Sequence, residues 1–418
     1  MNKISKRRLM SLIVLSAIGV AFVTLHFLQA QVGGGLDLSV PPLQVINTVN
    51  IDGTSSGWAL YQHKYFDGAY SVVWKSSAFG GGNFSIGNID NDGQRELAAV
   101  INYLTREERI KNRKVYYYNQ KIVVFEDGCA DGSSPTWESP YLGESTLTVR
   151  RNTLIADVDN DLNNEFVLVK GKHFEIYDLS GGGFIQKYES AEHSDIIFSI
   201  DAGGADNDGQ SEIVLSTFNV GGPTIWKYQD GSWSRKEAQS IPPEYYGQYG
   251  LGLDYARVRD ADNVVDGFGN KDNEIVGGGN NDRLMIWKYN KETGDYEWKF
   301  VSEDLGGFTQ GVDAGDIDGD GQNEVVIGSC SSGQVRKTRT PARLCIFTFN
   351  GENYVLRNSF ELGSTPINDV RLGDLENDGR AEIALGTSGL RIYDFIGQVG
   401  AGSIRLAYAG EGSGLEIR

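Results

Sequence analysis

Asp316, Asp318, Asp320 and Glu324 stand at positions 1, 3, 5 and 9 of one short stretch, with Gly321 at position 6. Hard divalent cations take six to eight oxygen ligands, and carboxylates at alternate positions of a tight loop supply them. Glycine at position 6 permits the sharp bend that brings the later ligands back to the ion. An apolar run, Val325-Val326-Ile327, follows at once.

The stretch recurs five times. Loop one carries Asn88, Asp90, Asp92 and Glu96; loop two carries Asp157, Asp159, Asp161 and Glu165, with Leu162 where glycine is expected. Loop three has Gly204 at position 1, then Asp206, Asp208 and Glu212. Loop four begins Asp260, Asp262, takes an insertion containing Asp266 and Gly267, and resumes at Asp272 and Glu274. The opening stretch is loop five, and loop six holds Asp374, Glu376, Asp378 and Glu382. The first half of loop five resembles an EF-hand loop, but its glutamate comes at position 9 instead of 12 and a strand-like run follows. Fewer carboxylates mean a weaker site, which ranks loops five and six first, then two, then one, then three and four. Leu162 is expected at positive φ, at a cost of about 1–2 kcal/mol.

Positioning these loops calls for strands. The closing glutamates are 47 to 69 residues apart, and each precedes a short apolar run and then an aromatic hairpin, such as Thr224-Ile225-Trp226-Lys227-Tyr228 turning at Asp230-Gly231. Asp-Gly between alternating apolar residues is a strong hairpin signal. Strand, acidic loop, strand, connection, strand, turn, strand makes a four-stranded propeller blade. A further hairpin, Trp58–Tyr61 with Tyr70–Trp74, lacks a full acidic loop and reads as a degenerate first blade. The expectation is an all-β, seven-bladed propeller over 43–418, with Ile404–Tyr408 or Leu415–Ile417 closing the ring; six blades with an N-terminal addition is the alternative count.

The loop-then-strand pattern resembles the FG-GAP repeat of the integrin α-subunit propeller and of bacterial and archaeal surface proteins. The resemblance covers about 43–418. The signature after which the repeat is named survives only as Phe79-Gly80-Gly81-Gly82 and Gly307-Phe308. It implies several structural calcium ions, with backbone oxygens from position 7: Gln94, Asn163, Gln210, Gln322 and Arg380. It does not fix a ligand.

The 418 residues hold 54 glycines, nine prolines and a net charge of −18, and the basic residues include four at the extreme N-terminus that has no acid. A body this acidic repels nucleic acid, and bound divalent ions would offset much of the charge. Residues 1–30 carry Lys3, Lys6, Arg7 and Arg8 before an apolar run from Leu9 to Leu28. That length suits a membrane-spanning anchor helix with its basic flank in the cytoplasm, or a cleaved signal; either places the body at the cell surface or outside. Residues 31–42 read as a linker.

On the face opposite the acidic loops, Tyr116, Tyr117 and Tyr118 beside the charged Thr105–Lys114, the segment Tyr245, Tyr246, Tyr249, and Arg336 with Arg339 are candidates for binding an extracellular protein or glycan. Cys330 and Cys345 are a candidate disulfide. His63, His173 and His193 fall in separate units with no catalytic-metal pattern. The functional expectation is a non-enzymatic adhesion or ligand-binding module; a polysaccharide-binding or polysaccharide-lyase propeller is the alternative.

Overall fold

The computed structural model describes residues 44–417 apart from 51–55, 65–68, 77–82, 111–112, 131, 146–152, 181–182, 218–220, 247–251, 266–270, 280, 331–340, 388 and 411–414. The expected N-terminal helix and linker, the remnant acidic loop after Asn50, and Tyr249, Arg336 and Arg339 lie outside the described residues.

Each acidic loop joins the first and second strands of an antiparallel meander. The loop-five sheet runs Phe308–Gly315, Glu324–Cys330, Arg343–Phe349 and Tyr354–Glu361 in that spatial order. Loop six repeats the plan with Asp369–Gly373, Glu382–Gly386, Leu390–Ile396 and Ser403–Ala409. The described residues form seven such sheets, six of four strands and one, holding loop one, of five. In the N-terminal sheet the innermost strand is Leu415–Ile417, paired antiparallel with Gln44–Asn50. The first strands of successive sheets pack side by side, and Leu415–Ile417 touches both Asp369–Gly373 and Phe84–Gly87, so the inner strands close a circle. The protein is all-β and propeller-like. Among the described residues no α-helix is present, and no helix is long and apolar enough to cross a membrane.

The apolar run after each loop is explained by burial on both faces. Leu97, Ala99 and Ile101 pack with Trp74 and Phe125, while Ala98 and Val100 pack with Ile155, Phe166 and Leu168 of the loop-two sheet. A strand covered by sheets on either side has no polar face, so alternation is lost. Inner strands of neighbouring sheets, which are not paired with each other, are stitched by side chains. Asp201 Oδ2 accepts the Val258 N–H at 3.1 Å, and Asp313 Oδ2 accepts the Leu372 N–H at 3.1 Å.

Two expectations are corrected here. Thr105–Lys114 is no loop, because the strands Glu96–Ile110 and Arg113–Phe125 extend the hairpin almost to its tip. Threonine, tyrosine and valine favour a pleated ribbon there, with Tyr117 paired to Arg106 across it. Cys345 carries a free thiol beside Ser359 Oγ. The register pairs Cys345 with Ile327, which puts Cys330 three residues further along the neighbouring strand, about 10 Å away and beyond disulfide reach.

Trp287 is fully buried between the loop-three and loop-four sheets, and its Nε1–H donates to the Gln239 carbonyl at 2.9 Å. Trp287→Ala is expected to cost about 3–5 kcal/mol in urea unfolding; a loss below about 1 kcal/mol would mean the sheets do not depend on this contact.

Candidate metal centre

Every loop is tied to its own sheet by the closing glutamate. Its Oε2 accepts the backbone N–H of position 2: Glu96 from Ile89 at 2.7 Å, Glu165 from Val158 at 2.9 Å, Glu212 from Ala205 at 2.8 Å. Glu274 takes Ala261 at 2.9 Å, Glu324 takes Ile317 at 3.1 Å and Glu382 takes Leu375 at 2.5 Å. Position 2 is apolar and buried in all six, so loop and core are fixed together. The aspartates shape the turn: Asp316 accepts the N–H groups of Gly319 and Gly321, Asp318 that of Asp320, and Asp320 that of Gln322. Asp157 and Asp374 also accept from position 6, but take position 5 as the other donor where Asp316 takes position 4.

Two positions require left-handed backbone. Position 6 has φ of 95° at Gly93, 86° at Gly321 and 90° at Gly379, and Leu162 adopts 75° as expected, with 91% of its surface exposed. Position 4 has φ near 60° at Asn91, Asn160, Asn207 and Asn263, a conformation asparagine tolerates better than most residues.

These asparagines do more than turn the chain. Asn91 Oδ1 accepts the N–H of Asn164 at position 8 of the next loop, and Asn160 that of Ser211. Asn207 and Asn263 likewise accept from Asn273 and Asn323 at 2.7 Å. In return Asn164, Asn273 and Asn323 donate Nδ2–H to the position 1 carbonyl of the preceding loop. Loops five and six are joined by the Ala381 N–H on the Asp316 carbonyl. The sequence shows asparagine recurring at positions 4 and 8, but only the register of adjacent sheets reveals what it binds.

The acids converge. In each of loops one to four, three carboxylates place one oxygen apiece within 4.8 Å of one another: Asp90, Asp92, Glu96; Asp157, Asp159, Glu165; Asp206, Asp208, Glu212; Asp260, Asp262, Glu274. Glu96 Oε1 is fully buried with no hydrogen-bond partner, beside these acids. A buried carboxylate oxygen left over from the loop's own bonding fits a hard cation. A Cβ at Gly204 would meet the Gln210 carbonyl oxygen at 3.2 Å, so the position 7 carbonyl turns toward position 1. In loop five a cavity of about 390 Å³ is lined by Asp318, Asp320, Glu324, Thr348 and Arg357.

Three loops contain an ammonium group. Lys187 Nζ lies 3.0 Å from Asp159 and 3.7 Å from Glu165; Lys227 Nζ lies 2.5 Å from both Asp206 and Asp208; Lys288 Nζ lies 2.6 Å from Asp262 and 2.7 Å from Glu274. The glutamates respond. Burial pushes Glu96, Glu324 and Glu382 up to about 8, with nearby acids adding to it. Burial raises Glu165, Glu212 and Glu274 only to about 7, the lysine opposing it in each.

Other candidates are placed separately. Tyr117 donates to Glu108 under the Arg106 guanidinium, and Tyr118 is half-buried on the same hairpin. Tyr116 is in that strand too, its side chain outside the described residues. Tyr245 sits in a single 3-10 turn, packed against the Trp287 cluster, and Tyr246 beside it is exposed. His173 meets Glu175 and Glu189 at 3.6 and 3.9 Å, a grouping that sequence spacing did not suggest; Lys170 occupies the Glu175 carboxylate at 2.9 Å. Near the axis, Arg259 bonds Asp201 at 3.1 Å and Asp313 at 2.5 Å, and the fully buried Arg257 bonds Asp369 at 2.9 Å.

A scan against protein-family models finds no match, and a search of curated proteins finds none. Solved structures do match. One is a Bacteroides uniformis protein provisionally assigned as a 6-phosphogluconolactonase: TM-score 0.56, 11% identity, 91% of this chain and 100% of that one. Another is its Bacteroides fragilis counterpart, provisionally assigned in the same way: TM-score 0.56, 8% identity, the same coverage. A third is a periplasmic gluconolactonase from Pseudomonas aeruginosa: TM-score 0.53, 12% identity, 90% of this chain and 98% of that one. At such identities the likeness shows the fold. It also corrects the functional expectation: these neighbours bear enzyme names, so the adhesion or ligand-binding module, and with it the polysaccharide alternative, is withdrawn.

Two outcomes are expected. Leu162→Gly removes the strained φ at a site with nothing to lose from packing, and should raise stability by about 1 kcal/mol in urea unfolding. In chelator, Glu96, Glu324 and Glu382 hold protons in the folded chain that the unfolded chain has released, between their ordinary 4.5 and about 8. Metal-free stability should therefore fall as pH rises through that window. A flat Tm from pH 5 to pH 8 in chelator would contradict it.

Proposed function

We propose that this chain is a seven-bladed propeller of the FG-GAP kind, held at or beyond the cell surface, in which calcium serves as a structural ion in the acidic loops. The observation that carries this reading is Glu96, whose one oxygen secures the loop and whose other, Oε1, is buried without a hydrogen-bond partner beside Asp90 and Asp92. Like charges crowded in one turn oppose its closure until a cation joins them. The aspartates at positions 1, 3 and 5 and the glutamate at position 9 would hold the ion; it supplies charge balance and rigidity. Chelation of the purified protein should lower its Tm, and calcium should restore it; an unchanged Tm would exclude a structural ion.

A second reading concerns chemistry at the axis: hydrolysis of a small sugar lactone, as the names of the Bacteroides and Pseudomonas neighbours state for those proteins. The convergence of Arg259, Asp201 and Asp313 from three inner strands favours it, because the Arg259 side chain remains partly open to solvent at 27% exposure. A guanidinium so placed can hold an anionic group or a developing oxyanion. Hydrolysis of gluconolactones, followed by acid release, should exceed the spontaneous rate and fall at least about tenfold in Arg259→Met. A rate equal to the uncatalysed one would exclude this activity.

A further inference from the structure

We infer that loops two, three and four are closed by lysine in place of a metal ion, and that this chain takes calcium at loops one, five and six alone. The inference rests on the calcium reading above and narrows it. In each sheet the residue facing the closing glutamate across the second and third strands is fixed by register: Glu274 pairs directly with Lys288, and the Ile213–Trp226 pair sets Glu212 against Lys227. Both lysines point their Nζ into the three-carboxylate cluster, 2.7 and 3.3 Å from those glutamates. In the loop-two sheet the facing residue is an acid, Asp178, and the lysine arrives from the fourth strand instead: Lys187 Nζ bridges Asp159 at 3.0 Å and Asp178 at 3.1 Å.

The other three sheets carry no lysine there. The same register places Glu126 opposite Glu96, Thr348 opposite Glu324 and Asp394 opposite Glu382. Among the described residues, no lysine or arginine forms an ion pair with Asp90, Asp92, Glu96, Asp316, Asp318, Asp320 or Glu324. Glu126 adds negative charge to loop one. In loop six Asp394 is taken up by Arg405 of the fourth strand, and in loop five Thr348 lines the cavity and accepts from Arg357 Nε–H at 3.0 Å. A protonated amine and a divalent ion compete for the same oxygens, and an ammonium held by two carboxylates at 2.5 Å leaves no room for a cation with six or more ligands. The lysine-filled loops run consecutively through three neighbouring sheets, so this arc keeps its shape without metal, while the remaining loops depend on it.

The test is a calcium count on the full chain by equilibrium dialysis with elemental analysis, alongside Lys227→Met/Lys288→Met. The wild type should bind about three ions per chain, and the double variant about five. In chelator the double variant should melt below the wild type, with calcium restoring more of its Tm than of the wild type's. A wild-type count of five or six overturns the inference, as does a variant whose count and calcium response equal the wild type's. A count of zero with no calcium effect on Tm overturns the underlying calcium reading instead, so the two failures are distinct.

Discussion

The bond from a position 2 N–H to the closing glutamate is the constraint on which the rest of the structure depends. It places a carboxylate in the core end of every loop, where desolvation penalises the charge. Each sheet then has to answer that charge. Three do so with an ammonium from the third or fourth strand of the same sheet, and three have no lysine in that place. The aspartates cannot answer it, because they are acids themselves and are spent on turning the backbone.

The same bond orders the face of the molecule. With position 2 pinned in the core, positions 4 and 8 stand at the loop's two flanks, where asparagine on one loop meets the backbone of the next. Inner strands are joined in a similar way by Asp201 and Asp313, whose side chains accept from backbone in the adjoining sheet. Sheets that share no strand pairing are thus connected at the loop face and along the axis, with apolar side chains between.

Much of the architecture was legible in the sequence because it repeats. Six spaced glutamates, each followed by an apolar run, report both the loop and the doubly covered strand, and Leu162 announced its own backbone strain. The C-terminal strand over Leu415–Ile417 was legible as one of two choices. What stayed hidden depends on register between elements distant in sequence. Lys227 and Lys288 look like ordinary surface residues of an aromatic hairpin until the strand pairing sets them against Glu212 and Glu274. The charged run at Thr105–Lys114 suggested a loop because charge masks the β-forming tyrosines and valine that extend the hairpin. Cys330 and Cys345 suggested a bridge because spacing in sequence says nothing of a three-residue offset between strands. Function was least legible: acidic loops describe how the ring is held, and the axial arginines were invisible to spacing.

The junction between Leu415–Ile417 and Gln44–Asn50 consists of three residue pairs, Val45 with Ile417, Ile46 with Glu416 and Asn47 with Leu415. Among the described residues every other sheet is built of strands consecutive in sequence, so there this junction alone fastens the circle without covalent continuity through a turn. Tension applied across the ring is borne first by those few backbone bonds, which makes the N-terminal sheet the mechanical seam of the molecule.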